Sequence, residues 1–305
     1  MLGKRLGKIK SYYILHEFIG RFTVTFFGLF VIILTISLVY FIASQGLMTF
    51  FKNNVSPIEF LFSSKWSPDT DISKGGPALG ALIFIVGSIS VSAIALLIST
   101  PLSTAVAIFM TEISPKLGRK LLQPVIEIFV GIPSVVYGWV GLSVLVPFIR
   151  SSFGGLGFSI LAGGLVLALM IFPTIASVAA DSLRAVPKDY REASYALGAT
   201  RWQTIRSVIL PSAMPGVLTG IVLGLARAFG EALAVSMVLG NSLKLPNSIL
   251  DSTTNLTSKI AMDMGNSFTG TPLSNALWSM ALLLLIISFM FILIIHRIGK
   301  KGVER

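Results

Sequence analysis

Apolar stretches at residues 22–43, 79–110, 121–149, 157–180, 213–240 and 275–295 alternate with polar segments along this chain. Each supplies the roughly 20 residues that an α-helix needs to cross a bilayer core. The pattern predicts an all-α integral membrane protein with six transmembrane helices. Its spanning region covers 22–297, between a segment 1–21 and a tail 298–305. The second and third stretches are overlong and contain breakers, Pro101 in one and Gly131-Ile132-Pro133 in the other. Kinks, tilt or partial re-entry are expected there.

One polar island, residues 181–211, reads DSLRAVPKDYREASYALGATRWQTIRSVILP. Pro187 suits a first helical position, Asp189 sits where the helix dipole favours negative charge, and Gly198 is placed to leave the helix left-handed. A short helix is expected over 187–197. Thr200 and Gln203 have the spacing of a capping box, so a second helix follows, expected to end near Pro211 because that ring has no N–H for the ladder. The island is a predicted helix-turn-helix. Small residues at Ala193, Ser194, Ala196, Gly198 and Ala199 let another protein approach the turn closely.

Composition agrees with the pattern: 54% hydrophobic, 12% charged and a mean hydropathy of +0.85 exclude an ordinary soluble domain. When the amino terminus, the 111–120 loop, the island and the tail are placed on one side, they hold most of the 24 Lys and Arg residues. The positive-inside rule then puts both termini and the island in the cytoplasm. The net charge of +11 needs no nucleic acid to explain it. The first apolar run is longer than the about 7–15 residues of a signal-peptide core and reads as a retained anchor. The chain has no cysteine, and His16 and His296 have no ligand partners, so no metal site is predicted. No Gly-x-x-x-x-Gly-Lys-Ser/Thr phosphate loop occurs, so the chain is expected not to be an enzyme: any ATP that drives it is hydrolysed by another subunit.

Ionisable residues inside spans are costly and point to function. Arg227 and Glu231 are four residues apart, which on a continuous helix places them on one face, able to pair. Such a pair either locks helices together or presents Arg227 to a crossing oxyanion, with Glu231 holding it or accepting the hydrogen of a protonated phosphate. Gly220, Gly224 and Gly230 thin the same helix. Glu127 lies near the cytoplasmic end of its span, solvated or paired at the interface. Around Pro133, Ser134 and Tyr137 offer hydroxyls to a packing kink or to a pathway.

The island's Glu192-Ala193-Ser194, Gly198 and Val208-Ile209-Leu210-Pro211 resemble the EAA loop of bacterial ABC-importer permeases. Ser194 stands where Ala is usual and Val208 where Ile is usual. The run from Gly131 to Gly138, the segment 226–231, and Phe60-Leu61-Phe62 before Trp66-Ser67-Pro68 extend the resemblance, over nearly the whole chain, to phosphate-specific ABC importers and their PstC-type permeases. That resemblance implies a type I importer fold in a bacterial cytoplasmic membrane and a translocation pathway for inorganic phosphate. Its implied partners are a second permease of the PstA type, two ATPase subunits of the PstB type and an external binding protein of the PstS type. It implies no cofactor in this subunit, with ATP and magnesium held by the ATPase. Glu192, Ala193, Ser194, Gly198, Leu210 and Pro211 would couple to the ATPase; Arg227, Glu231, Ser134 and Tyr137 would line the pathway. The outer loop 46–78, with Trp66 and Pro68, would dock the binding protein or serve as a passive connector, partly disordered over 69–76. A permease for molybdate or sulfate would share the loop and differ in the pathway; an ATP-independent carrier would lack the loop's purpose.

Overall fold

A computed structural model describes residues 2–68, 70 and 76–303, with side chains described for 17, 19–68, 70 and 76–297. The basic residues before position 17 with His16, the tail beyond 297 and most of the 69–76 connector therefore lie outside the described side chains. Among the described residues six helices are long and apolar enough to span a membrane. Among the same residues the one sheet is a two-stranded ribbon with two residues in each strand.

The first span belongs to α1 (Leu2–Gly46), whose described side chains up to residue 41 are exposed. It meets the bundle at its far end, where Phe41 packs edge-on against Trp278 at 5.2 Å. Two short helices follow, α2 (Met48–Phe51) and α3 (Pro57–Phe62), then β1 (Trp66–Ser67) paired antiparallel with β2 (Ala78–Leu79). This 47–79 segment is anchored, because Phe60 and Leu79 are buried and Trp66 stacks edge-on against Phe84 at 5.0 Å.

The second span is α4 (Leu82–Ile108), which runs through Pro101 without a break. After α5 (Pro115–Leu117), the third stretch is split, as its breakers suggested. Its parts are α6 (Gln123–Gly131), two extended residues, α7 (Ser134–Val140) and α8 (Val146–Phe153). The fourth span, α9 (Ile160–Ala185), is the most enclosed, packed between α4 and the fifth span. Small residues such as Ala168, Ala176, Ala179, Ala213 and Ala228 line these contacts. That choice follows from the solvent. Lipid tails supply no hydrophobic drive between helices, so close van der Waals approach must do the work.

Beyond α9 come α10 (Lys188–Ala196), α11 (Arg201–Thr204), α12 (Leu210–Gly230), α13 (Leu233–Leu239), α14 (Leu256–Asp263) and α15 (Pro272–Val303). One expectation fails here. Pro211 does not end a helix, because Arg201–Gly230 is a single continuous rod. The reason is a π turn, Ile205–Ile209, across which the Leu210 N–H reaches back five residues to the Ile205 carbonyl. Widening the turn relieves the clash of the proline ring with the preceding turn and absorbs the missing donor. The same device recurs: π turns at Gly118–Leu122 and Gly141–Leu145 precede Pro124 and Pro147 by two residues and run on into α6 and α8, whereas after the π turn Phe109–Ile113 the chain breaks at Ser114 (φ −138°, ψ 73°) before Pro115.

The fifth stretch also breaks where none was expected, at Glu231 and Ala232, between α12 and α13. Here the connector between α13 and α14 returns against the bundle. A Cβ at buried Gly87 in α4 would run into the carbonyl oxygen of Thr254, just before α14. Gly87→Ala is therefore expected to destabilise the fold by about 2 kcal/mol through overpacking. Gly265→Ala, where no atom is in the way, should leave the thermal midpoint of the purified protein unchanged, and a scan of both variants checks this.

Candidate functional site

Two places gather the chemistry that the sequence singled out. The first is the helix-turn-helix. Pro187 stands one residue earlier than expected, as the extended cap before α10 (φ −55°, ψ 144°), and Asp189 occupies the first turn. Gly198 leaves α10 with φ +80° and open space around it, a conformation that a Cβ would strain. The capping box forms as its spacing predicts: the Gln203 N–H donates to Thr200 Oγ1, and the Thr200 N–H donates to Gln203 Oε1 at 2.8 Å.

Of the predicted coupling residues, Glu192, Ala193 and Gly198 are exposed, whereas Ser194 is buried. Thr204 Oγ1 donates to the Thr200 carbonyl, so the Ser194 hydroxyl donates to Thr204 at 2.9 Å. The departure from Ala at this position thus ties the two arms of the motif together. Leu210 packs into the cluster around Ile209 and Ala213, and Pro211 lies exposed on the continuous rod. Tyr190, Tyr195, Leu197 and Trp202 form an exposed apolar surface around Glu192 and the turn. Such a surface marks a site for another protein.

Sequence reasoning missed what holds this motif in place. Arg191, three residues from Ser194 on the inward face of α10, pairs with Glu112 at 2.5 Å; the side chains are 21% and 10% exposed. The same guanidinium donates to the carbonyls of Val186 (2.8 Å) and Leu183 (3.1 Å), at the carboxyl end of α9 where the helix dipole is negative. Arg201 donates to the carbonyls of Glu112 and Ile113. The one available signal was a lone acid, Glu112, beside a basic loop. Glu127 is exposed and accepts from Gln123 (3.1 Å), which accepts from Arg184 (3.2 Å), itself paired with Asp181. It belongs to this interfacial network.

The second place is the pair of broken helices. Glu231 leaves helical geometry (φ −78°, ψ 124°), so it and Arg227 do not share a continuous helix, and no ion pair joins them. The pairing expected from their spacing is absent for that reason. Instead Glu231 Oε1 accepts from the Ala234 N–H at 3.0 Å, at the start of α13. Arg227, half-buried, donates from Nη1 to Thr174 Oγ1 at 3.2 Å, near the middle of α9. Its other guanidinium N–H groups have no protein acceptor among the described residues.

α7 packs against α13, with Gly138 against Ala234. The Tyr137 hydroxyl donates to the Phe129 carbonyl at 2.8 Å. Phe129 is four residues before Pro133, so this is the acceptor that the proline cannot serve. Ser134 opens α7 and is half-buried. The structure therefore gives Tyr137 and Glu231 each a backbone partner of its own.

Residues 103–303 match the model of a family described as binding-protein-dependent transport system inner membrane component. A Bacillus subtilis (strain 168) protein named probable ABC transporter permease protein YqgH is 52% identical over 289 residues, which covers 94% of this chain and 92% of that protein. A Pasteurella multocida (strain Pm70) protein named phosphate transport system permease protein PstC is 35% identical, covering 93% of each chain. Among solved structures, an inward-facing MetNI methionine ABC transporter matches with a TM-score of 0.52 at 22% identity, covering 73% of this chain and 94% of that one.

The Arg191 clamp yields a stability prediction. Arg191→Ala strands the Glu112 carboxylate and is expected to cost about 2 kcal/mol, less than a fully buried pair because both partners keep some water contact. Adding Glu112→Gln to that variant should cost little more, which a double-mutant cycle on thermal unfolding reads directly. Ser194→Ala should cost about 1 kcal/mol, since Thr204 keeps its bond to Thr200.

Proposed function

This chain belongs to the family of binding-protein-dependent transport system inner membrane components, and from that premise we propose that it forms half of the membrane pathway through which an ATP-driven importer moves inorganic phosphate. It is a multi-pass ABC importer permease subunit with the type I fold. Subunits of this family work with a separate ATPase and a substrate-binding protein. The finer reading makes these a PstB-type pair and a PstS-type protein, with a PstA-type permease packed against the exposed apolar faces of α1 and of α6 to α8.

The observation that carries the phosphate reading is the state of Arg227. A guanidinium inside a membrane span is expensive unless something balances it, and this one has no carboxylate partner and one protein acceptor. Its remaining donors suit the oxygens of a tetrahedral oxyanion. Glu231 Oε1 is engaged with α13, which leaves Oε2 to accept the P–OH hydrogen of a protonated phosphate. Sulfate, fully ionised at neutral pH, offers no such hydrogen. The relative named as a phosphate permease supports the same choice.

In this reading both termini and the helix-turn-helix face the cytoplasm. Glu192, Ala193 and the apolar surface from Tyr190 to Trp202 seat in the ATPase, and Ser194, Leu210 and Pro211 shape the element that does so. ATP and its magnesium stay in that partner. Arg201–Gly230 is a rod of 30 residues, about 45 Å long. Movement of the ATPase is thus delivered by one rigid helix to Arg227. Loaded binding protein docks on the outer loops, closure of the ATPase on ATP opens the pathway outward, and hydrolysis resets it.

Reconstitution of the complete transporter with saturating binding protein and internal ATP tests this. Arg227→Gln is expected to assemble normally and to lose about 100-fold in phosphate uptake, and Thr174→Val about 5-fold, as befits one lost positioning bond. Wild-type uptake by Arg227→Gln would remove Arg227 from the pathway. Uptake of sulfate or molybdate in place of phosphate by the wild type would transfer the reading to another oxyanion.

A further inference from the structure

The break between α12 and α13 is held from outside the membrane. Glu231, extended, turns its carbonyl out of the helix, and the Thr257 hydroxyl donates to it at 2.8 Å. The next carbonyl, Ala232, takes the Ser258 hydroxyl at 3.1 Å as well as the Ser236 N–H at 3.0 Å. Both hydroxyls lie in the first turn of α14, a helix from the outer loop that is buried at this end. Asn255 caps it through the Ser258 N–H (2.9 Å), and its Leu256 N–H donates to Ser88 Oγ in α4 at 3.0 Å.

The other end of α14 reaches the outer segment. Lys259 pairs with Asp263 at 2.6 Å and lies over the Trp66 ring at 5.8 Å, and Trp66 in turn stacks on Phe84. A continuous chain of contacts therefore runs from β1 through Lys259 to Thr257 and Ser258, and from there to the residue that caps α13. Alongside the latch lies an apolar cavity of about 480 Å³. Thr257, Ile260 and Ala261 of α14 face Leu284 and Leu285 of α15 across it, and it borders Gly230 and Ala232. That space allows α14 to shift without compressing close-packed side chains.

The geometry points to α14 as an externally operated latch, with Thr257 and Ser258 as positioning residues. Through Glu231 they hold the broken helix in the arrangement that presents Arg227, and release when a partner engages the outer segment around Trp66. The inference rests on the permease reading above and adds the element by which the outside face addresses the pathway. A helix break inside a membrane needs donors for its freed carbonyls, so withdrawing α14 makes the present break costly and favours another arrangement. Two arrangements differing by such bonds form a bistable element that a docking partner can bias.

The test uses the complete reconstituted transporter carrying Thr257→Val or Thr257→Ser, with ATP hydrolysis measured with and without external binding protein. Thr257→Val is expected to raise basal hydrolysis about 5-fold and to flatten the response to binding protein, whereas Thr257→Ser, which keeps the hydroxyl, behaves as wild type. Because the chain has no cysteine of its own, a single Cys at Leu233 can report the break directly. Its labelling by an external membrane-impermeant maleimide should quicken about 10-fold in the Thr257→Val background and not in Thr257→Ser. Wild-type hydrolysis and labelling in Thr257→Val would overturn the latch. If that variant fails to assemble, Ser258→Ala, whose target carbonyl keeps the Ser236 N–H, carries the same comparison. Neither readout depends on which anion moves: a wild type that imports no phosphate while Thr257→Val still responds retires the substrate reading and leaves the latch standing.

Discussion

Backbone polar groups at membrane depth have no water to turn to, and this chain leaves helical geometry at the ends of two candidate spans, just before Ser134–Phe153 and just after Arg201–Gly230. Each interruption is closed by side-chain hydroxyls from elsewhere. Tyr137 reaches back to the carbonyl that Pro133 cannot serve, and Thr257 crosses from α14 to the carbonyl that Glu231 turns outward. The Glu231 carboxylate meanwhile caps the N-terminal end of α13. These bonds permit irregular backbone close to Arg227 in the chain.

The helix-turn-helix end obeys a different economy, because exposed charges contribute little there. What gives the helix-turn-helix a defined pose is a partly buried pair, Arg191 with Glu112, whose guanidinium also satisfies carbonyls at the end of α9. One side chain joins α10 to the end of α9 just before it and to Glu112, 79 residues away. The motif is consequently attached to both the 109–117 segment and the central helix. Its second arm continues without interruption into α12, so the two ends of the proposed pathway are parts of one helix.

Much of this was legible in the chain. The six spans, the split at Pro133, the left-handed exit at Gly198 and the Thr200–Gln203 capping box follow from hydropathy and local chemistry, and the structure shows each of them. Local rules failed where helical periodicity was assumed to continue or to stop. Pro211 looked like a terminus, yet the π turn before it carries the helix through, as the π turns before Pro124 and Pro147 also do. Arg227 and Glu231 looked like a helical pair, and the break at Glu231 separated them.

The sequence by itself determined the membrane class, the span count and the helix-turn-helix with its caps, because these depend on apolar length and on hydrogen bonds closed within a few residues. The EAA-like spacing also marked the family, which the matched relatives then established. Tertiary structure alone decided the Arg191 clamp, the Ser194–Thr204 tie, the isolation of Arg227 and the hold of α14 on the broken helix. Those depend on bonds between residues such as Arg191 and Glu112 or Thr257 and Glu231, distant along the chain, whose partners carry no local signature. A hydroxyl or guanidinium acquires its role from what packing brings within reach, and in a membrane that packing also decides which backbone groups are left to be satisfied.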